Sequence, residues 1–207
     1  MNIEIKNLNV SINKINILKN INMSLSKGHI YGIVGRNGSG KSILLKTICG
    51  FVKPISGSIY INGEDIYKKN IFPPSMRALI NRSEYIDELS GLDNLKLLAS
   101  IQNMIKEEDI IKSLDSVNML NEMSKKFKCY SLGMKQKIGI CDVIMENPDI
   151  MIFDEPFNGI DDESVKKISN LIKSLKNDHL IIITTHIKDD IDNLCDIVYK
   201  MDDGQIK

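Results

Sequence analysis

Eight residues, Gly35-Arg36-Asn37-Gly38-Ser39-Gly40-Lys41-Ser42, stand between an apolar run at 30–34 and a helical pattern at 41–49. They match G-x-x-x-x-G-K-[ST] in full and in the strand-loop-helix setting that the pattern requires. Glycines at 35, 38 and 40 let the backbone adopt positive φ and approach an anion closely. Successive N–H groups then turn inward, and the start of the following helix adds its positive end. Lys41 is expected to bridge the β- and γ-phosphates of a nucleotide and Ser42 to ligate Mg²⁺. Asn37, Ser39 and Ile43 complete the expected ATP-binding set. A loop of this kind fits a parallel α/β sheet, because there the carboxyl ends of the strands open onto the ligand.

Two further apolar runs, 150–153 and 180–184, read as strands buried on both faces. Helical patterns follow them at 161–175 and 188–194. The first thirty residues instead alternate apolar and polar positions over 3–10 and 17–25, as half-exposed antiparallel strands do. Ser56-Gly57 and Asn62-Gly63 bracket one more short strand, and the last residues read as a hairpin. From 82 to 147 the spacing is helical. The expectation is one domain: a core of 1–81 and 148–207 with an antiparallel β subdomain, and a helical subdomain of 82–147.

The run at 150–153 ends in Asp154-Glu155. Adjacent carboxylates at the end of a buried strand need something to offset their desolvation. Mg²⁺ would do so for Asp154, while Glu155 leaves the strand differently and is assigned to activate water as general base.

Equal numbers of basic and acidic residues, 27 each, argue against a nucleic-acid partner bound through a strongly basic surface. No apolar run approaches the ~18 residues of a membrane-spanning helix, and the N-terminus has no apolar core of a secretory signal. Cys49, Cys129, Cys141 and Cys195 lack metal-site spacing and are expected to be reduced thiols.

With these sites placed, the chain resembles the nucleotide-binding domain of ATP-binding cassette (ABC) transporters over nearly its whole length. Tyr130-Ser131-Leu132-Gly133-Met134-Lys135-Gln136 resembles the ABC signature. The resemblance implies a P-loop NTPase (RecA-like) core and a signature that serves the nucleotide of an opposing subunit through Ser131 and Gly133. It also implies a switch role for His186 beside Glu155, a D-loop at Asn158-Gly159-Ile160-Asp161, and Asn81 in place of the family's metal-side Gln. A plain turn with Asp161 or Asp162 capping the next helix fits the same residues. The family's adenine-stacking aromatic aligns with Ile12, so weak discrimination between ATP and GTP is expected. Tyr85, Ile86 and Leu89 are candidate contacts with a membrane partner, or core residues.

The implied partners are a transmembrane permease subunit and a second copy, or a related ATP-binding subunit, at the cytoplasmic face of the cell membrane. The wording of the signature resembles the subgroup that exports, or gives immunity to, bacitracin and lantibiotics. ABC ATPases of DNA repair or translation carry a long coiled coil or a second cassette, and neither pattern occurs here. A non-catalytic sensor of ATP would be expected to lack Lys41 or Glu155, and both are present.

Overall fold

The computed structural model describes residues 1–73, 75–80, 85–186 and 192–207. The N-terminal alternation becomes a hairpin of β1 (Asn2–Ile12) and β2 (Ile15–Ser26). Its turn residues, Asn13 and Lys14, both have positive φ, the geometry whose twist matches that of the flanking strands. After β3 (Ile30–Val34) and α1 (Lys41–Ile48) comes β4 (Ser56–Ile61), which Asn62-Gly63 turns back into β5 (Glu64–Asp65). These strands form an antiparallel sheet in the order β2-β1-β4-β5.

The second sheet is built from strands far apart in the chain. A short helix, α2 (Ile66–Lys69), precedes β6 (Met76–Leu79). The helices α3 (Gly91–Gln102), α4 (Glu107–Ser116) and α5 (Leu132–Ile144) then intervene before β7 (Ile150–Asp154). α6 (Asp162–Leu175), β8 (Leu180–Thr185) and the hairpin β9 (Ile197–Asp202) and β10 (Gln205–Ile206) follow. The order is β10-β9-β3-β8-β7-β6, parallel except for the β9-β10 pair. β6 lies where the sequence reading assigned no strand, because four residues give too short a run to register as one. The expected helix at 188–194 falls partly on residues outside those described.

Every residue of β7 and β8 is buried, which explains their unbroken apolar sequence. Ile150 and Ile152 pack with Leu44, Leu45 and the antiparallel sheet. Met151 and Phe153 pack on the opposite side with Ile138, Ile140 and Ile168 from the helices. At β7 and β8 the sheet is thus covered on both faces, and there the strand ends are what opens to a ligand.

β6 is fastened to α5 by charge. Arg77 pairs with Glu146, whose side chain is 3% exposed, and Tyr85 donates to Asp142 at 3.4 Å. Burial pushes the Asp142 carboxyl up to about 6, although Arg77 and Tyr85 pull the other way. A carboxyl whose folded pKa is raised stabilises the fold when protonated, and that advantage disappears as pH rises through about 6. Asn mimics the protonated form. Asp142→Asn is therefore expected to stabilise the protein at pH ~8 by on the order of 2 kcal/mol and to change little near pH ~4. Thermal melting at both pH values checks the sign.

Candidate nucleotide site

β8 lies between β3 and β7, and this order assembles the site. Val34 pairs with Thr185 and Asp154 with Thr184, so three strand ends open on one edge within two ~4.8 Å strand spacings. The loop after β3, the acids ending β7 and His186 after β8 therefore share one rim.

Gly38 and Gly40 have φ of 81° and 108°, the left-handed region expected of them. Gly35 is needed for a different reason. A Cβ there would lie 2.2 Å from the carbonyl of Met201 in β9. The loop is also braced from behind: Gly204 N–H donates to the Ser39 carbonyl at 3.0 Å, and Lys19 N–H donates to the Gly204 carbonyl at 2.8 Å. The β9-β10 turn thus holds the phosphate loop against β2, a support that the sequence reading missed.

A cavity of about 920 Å³ opens over this rim. Asn37, Gly38, Gly40, Lys41, Ser42, Ile43, Asp154 and Glu155 line it, all of them expected site residues. Gly35 and the buried Ser39 sit behind the loop rather than on the wall. The β2 side of the wall is Ile17, whereas Ile12 is 37% exposed at the end of β1 and does not line it. Leu132, Gln136, Asn158 and Gly159 also line the cavity, although the sequence reading set them in the signature and D-loop segments and not on the wall of this chain's own site.

Lys41 Nζ donates to the carbonyls of Gly35 at 2.7 Å and Arg36 at 3.3 Å and lies 3.7 Å from Glu155 Oε1. Its side chain is 6% exposed, so the ammonium is held inside the loop as a fixed positive charge. Asp154, 8% exposed, accepts from Thr184 Oγ1 at 2.5 Å. Glu155 carries three contacts on its carboxylate. Asn158 Nδ2 donates to Oε2 at 2.8 Å, His186 Nδ1 is 3.4 Å from Oε1, and Lys41 is the third. Burial pushes the Glu155 carboxyl up, but the Asn158 amide, the neighbouring His186 and the Lys41 ammonium outweigh it, and it is held below its ordinary value.

Ser131 caps α5, its Oγ accepting the Met134 N–H at 3.2 Å, and is exposed. Gly133 is pressed against the D-loop segment, where a Cβ would meet the Gly159 carbonyl at 2.4 Å. Neither lines the cavity of its own chain. Asp161 does cap α6, accepting from Ser164 N–H at 2.9 Å. Tyr85 packs against Phe127 with ring centroids 4.8 Å apart, while Ile86 is 49% exposed. Asn81, assigned to the metal side, lies outside the described residues.

A hard cation would find the Ser42 hydroxyl and the Asp154 carboxylate on one wall, an oxygen donor set suited to Mg²⁺. Among the described residues, no three His, Cys, Asp or Glu side chains gather as a self-contained metal site.

Fold and site together define a P-loop NTPase: an α/β sheet that binds a nucleotide by its phosphates at the end of one strand and sets acids at the end of another. Comparison with known proteins narrows the class. The ABC transporter family model matches residues 18–158, and the chain belongs to that family, as an ATP-binding domain with ATPase activity. It is 40% identical to YybJ, an uncharacterized ABC transporter ATP-binding protein of Bacillus subtilis (strain 168), over 99% of this chain and 94% of that one. It is 32% identical to the lantibiotic transport ATP-binding protein SrtF of Streptococcus pyogenes, over 99% of this chain and 88% of the relative. A solved ATP-binding subunit of an ABC transporter superposes with a TM-score of 0.90 at 25% identity, covering 100% of this chain and 88% of its own. No helix among the described residues is long and apolar enough to cross a membrane.

Proposed function

We propose that the chain is the energy-supplying subunit of a transporter whose path lies in a separate membrane permease, and that it works as a pair. The pair is a homodimer or this chain with a related ATP-binding subunit, attached peripherally at the cytoplasmic face through the permease. The division proposed is a core of 1–81 and 148–207 with a helical subdomain of 82–147. The cavity that joins the phosphate loop to Asp154 and Glu155, while Ser131 stays exposed at the tip of α5, carries the reading.

The loop amides from Gly35 to Ser42 and the Lys41 ammonium bind the triphosphate, exchanging the carbonyl contacts of Lys41 for phosphate oxygens. Ser42 and Asp154, with Asn81, would hold Mg²⁺, which would supply positive charge against the phosphate oxygens. Glu155 accepts a proton from the attacking water, and His186, beside it, helps to place that water. One copy leaves the γ-phosphate open on the side away from its own loop. Ser131 and Gly133 of the second copy close it, so that binding joins the two chains and hydrolysis separates them.

Light scattering tests the pairing. The Glu155→Gln variant with MgATP is expected to double in mass, and adding Ser131→Glu is expected to keep it monomeric with ATP still bound, since the new carboxylate faces the γ-phosphate. A monomer at saturating ATP without the Ser131 change overturns the paired reading. We assign the cargo to antimicrobial peptides of the bacitracin or lantibiotic kind, supported by the likeness to SrtF. Unchanged sensitivity of the host to both classes on deletion would remove the cargo assignment and leave the ATPase reading standing.

A further inference from the structure

Glu155 has φ of 50°, a left-handed backbone that a residue with a side chain adopts only when its surroundings hold it there. Its N–H donates to the carbonyl of Thr184 at 3.1 Å and to Thr184 Oγ1 at 3.0 Å. These bonds fix the amide to β8, within the rigid sheet. Its carbonyl is held from elsewhere: Gln136 Nε2, on the second turn of α5, donates to it at 3.1 Å. Asn158 N–H reaches the same carbonyl at 3.4 Å, and its amide holds Oε2, but Asn158 belongs to the turn that Glu155 begins. It moves with that turn and does not anchor it.

α5 and the segment after β7 meet at three successive places. Gly133 abuts the Gly159 carbonyl, Gln136 holds Glu155, and Lys137 Nζ donates to Ser164 Oγ at 2.6 Å and lies 3.6 Å from Asp161 Oδ2. The helix whose tip bears Ser131 and the turn that bears the carboxylate are therefore seated as one body. We propose that Gln136 is a positioning residue that aims the Glu155 carboxylate into the cavity, so that the aim of the general base depends on how α5 is seated. The proposal rests on the reading of Glu155 as general base. Without the Gln136 donor, the peptide after Glu155 can rotate towards commoner backbone regions. The carboxylate then swings off its line to the water, and a misplacement of ~1 Å can cost about a hundredfold in rate.

Gln136→Met keeps the volume of this buried side chain and removes the donor. The expected result is a kcat for ATP hydrolysis ~10- to 100-fold lower, with KM within about twofold and an unchanged melting temperature. Gln136→Glu keeps the shape, loses the donor, and is expected to lose as much. In the Glu155→Gln background, single-turnover hydrolysis should show no further loss from Gln136→Met, since Gln136 acts only through Glu155. An unchanged kcat, a loss that appears in KM, or an equal loss in both backgrounds overturns the proposal. Full turnover by Glu155→Gln alone would instead remove the general-base reading, whatever the Gln136 variants do.

Discussion

Glu155→Gln is expected to lower steady-state ATP turnover by ~10²- to 10⁴-fold while leaving ATP affinity intact, the magnitude typical of losing a positioned general base. Gln has nearly the same volume and still accepts from Asn158, so the turn beginning at Glu155 has no reason to rearrange. What it lacks is a basic oxygen. In the wild-type chain that oxygen is kept ionised, because the Asn158 amide, the neighbouring His186 and the Lys41 ammonium hold the carboxyl below its ordinary value despite burial. It follows that the acid limb of the kcat profile set by Glu155 lies below the ordinary glutamate range, and that turnover between pH ~6 and ~8 is insensitive to this group. Stopped-assay phosphate release checks the turnover, and fluorescent-nucleotide titration checks the affinity. Retention of more than about a tenth of the wild-type rate would leave Glu155 without the role assigned to it.

Lys41→Ala is expected to weaken nucleotide binding by ~30- to 200-fold, corresponding to the loss of charge-assisted hydrogen bonds worth about 2–3 kcal/mol. The Lys41 side chain is 6% exposed and already desolvated within the loop, so little further cost is incurred when its ammonium meets phosphate. Calorimetric titration with ATP in the presence of Mg²⁺ reads this directly. The loop should survive the change. Gly38 and Gly40 need no side-chain partner for their conformation, and the Ser39 carbonyl remains held by Gly204. Affinity within about threefold of wild type would mean that the triphosphate is not bound where the loop lies.

Much of the site is written locally. The spacing of glycines before Lys41-Ser42, the apolar run ending in Asp154-Glu155, and Asn62-Gly63 each encode one short-range geometry. The structure realises each as a loop with positive φ, a buried strand and a two-residue turn. The short β6 was illegible because its four residues gain strand character from pairing with β7, not from their own pattern. Ile17 and Gln136 were missed for a similar reason. Each is an unremarkable residue of its own element, and what gives it a place on the cavity wall is an element that packs beside it.

The sequence by itself thus determined the chemistry: which residues can hold a phosphate, which acids stand at a strand end, and which helix starts are capped. Only the tertiary structure decided how these pieces meet. Placing β8 between β3 and β7 sets loop, acids and histidine on one rim. Docking α5 on the turn after β7 brings the Gln136 amide to Glu155, and the β9-β10 turn braces Ser39. The physical reason is one of range. Backbone conformation responds to the few residues beside it, whereas strand order and lobe docking follow from burial summed over the whole chain.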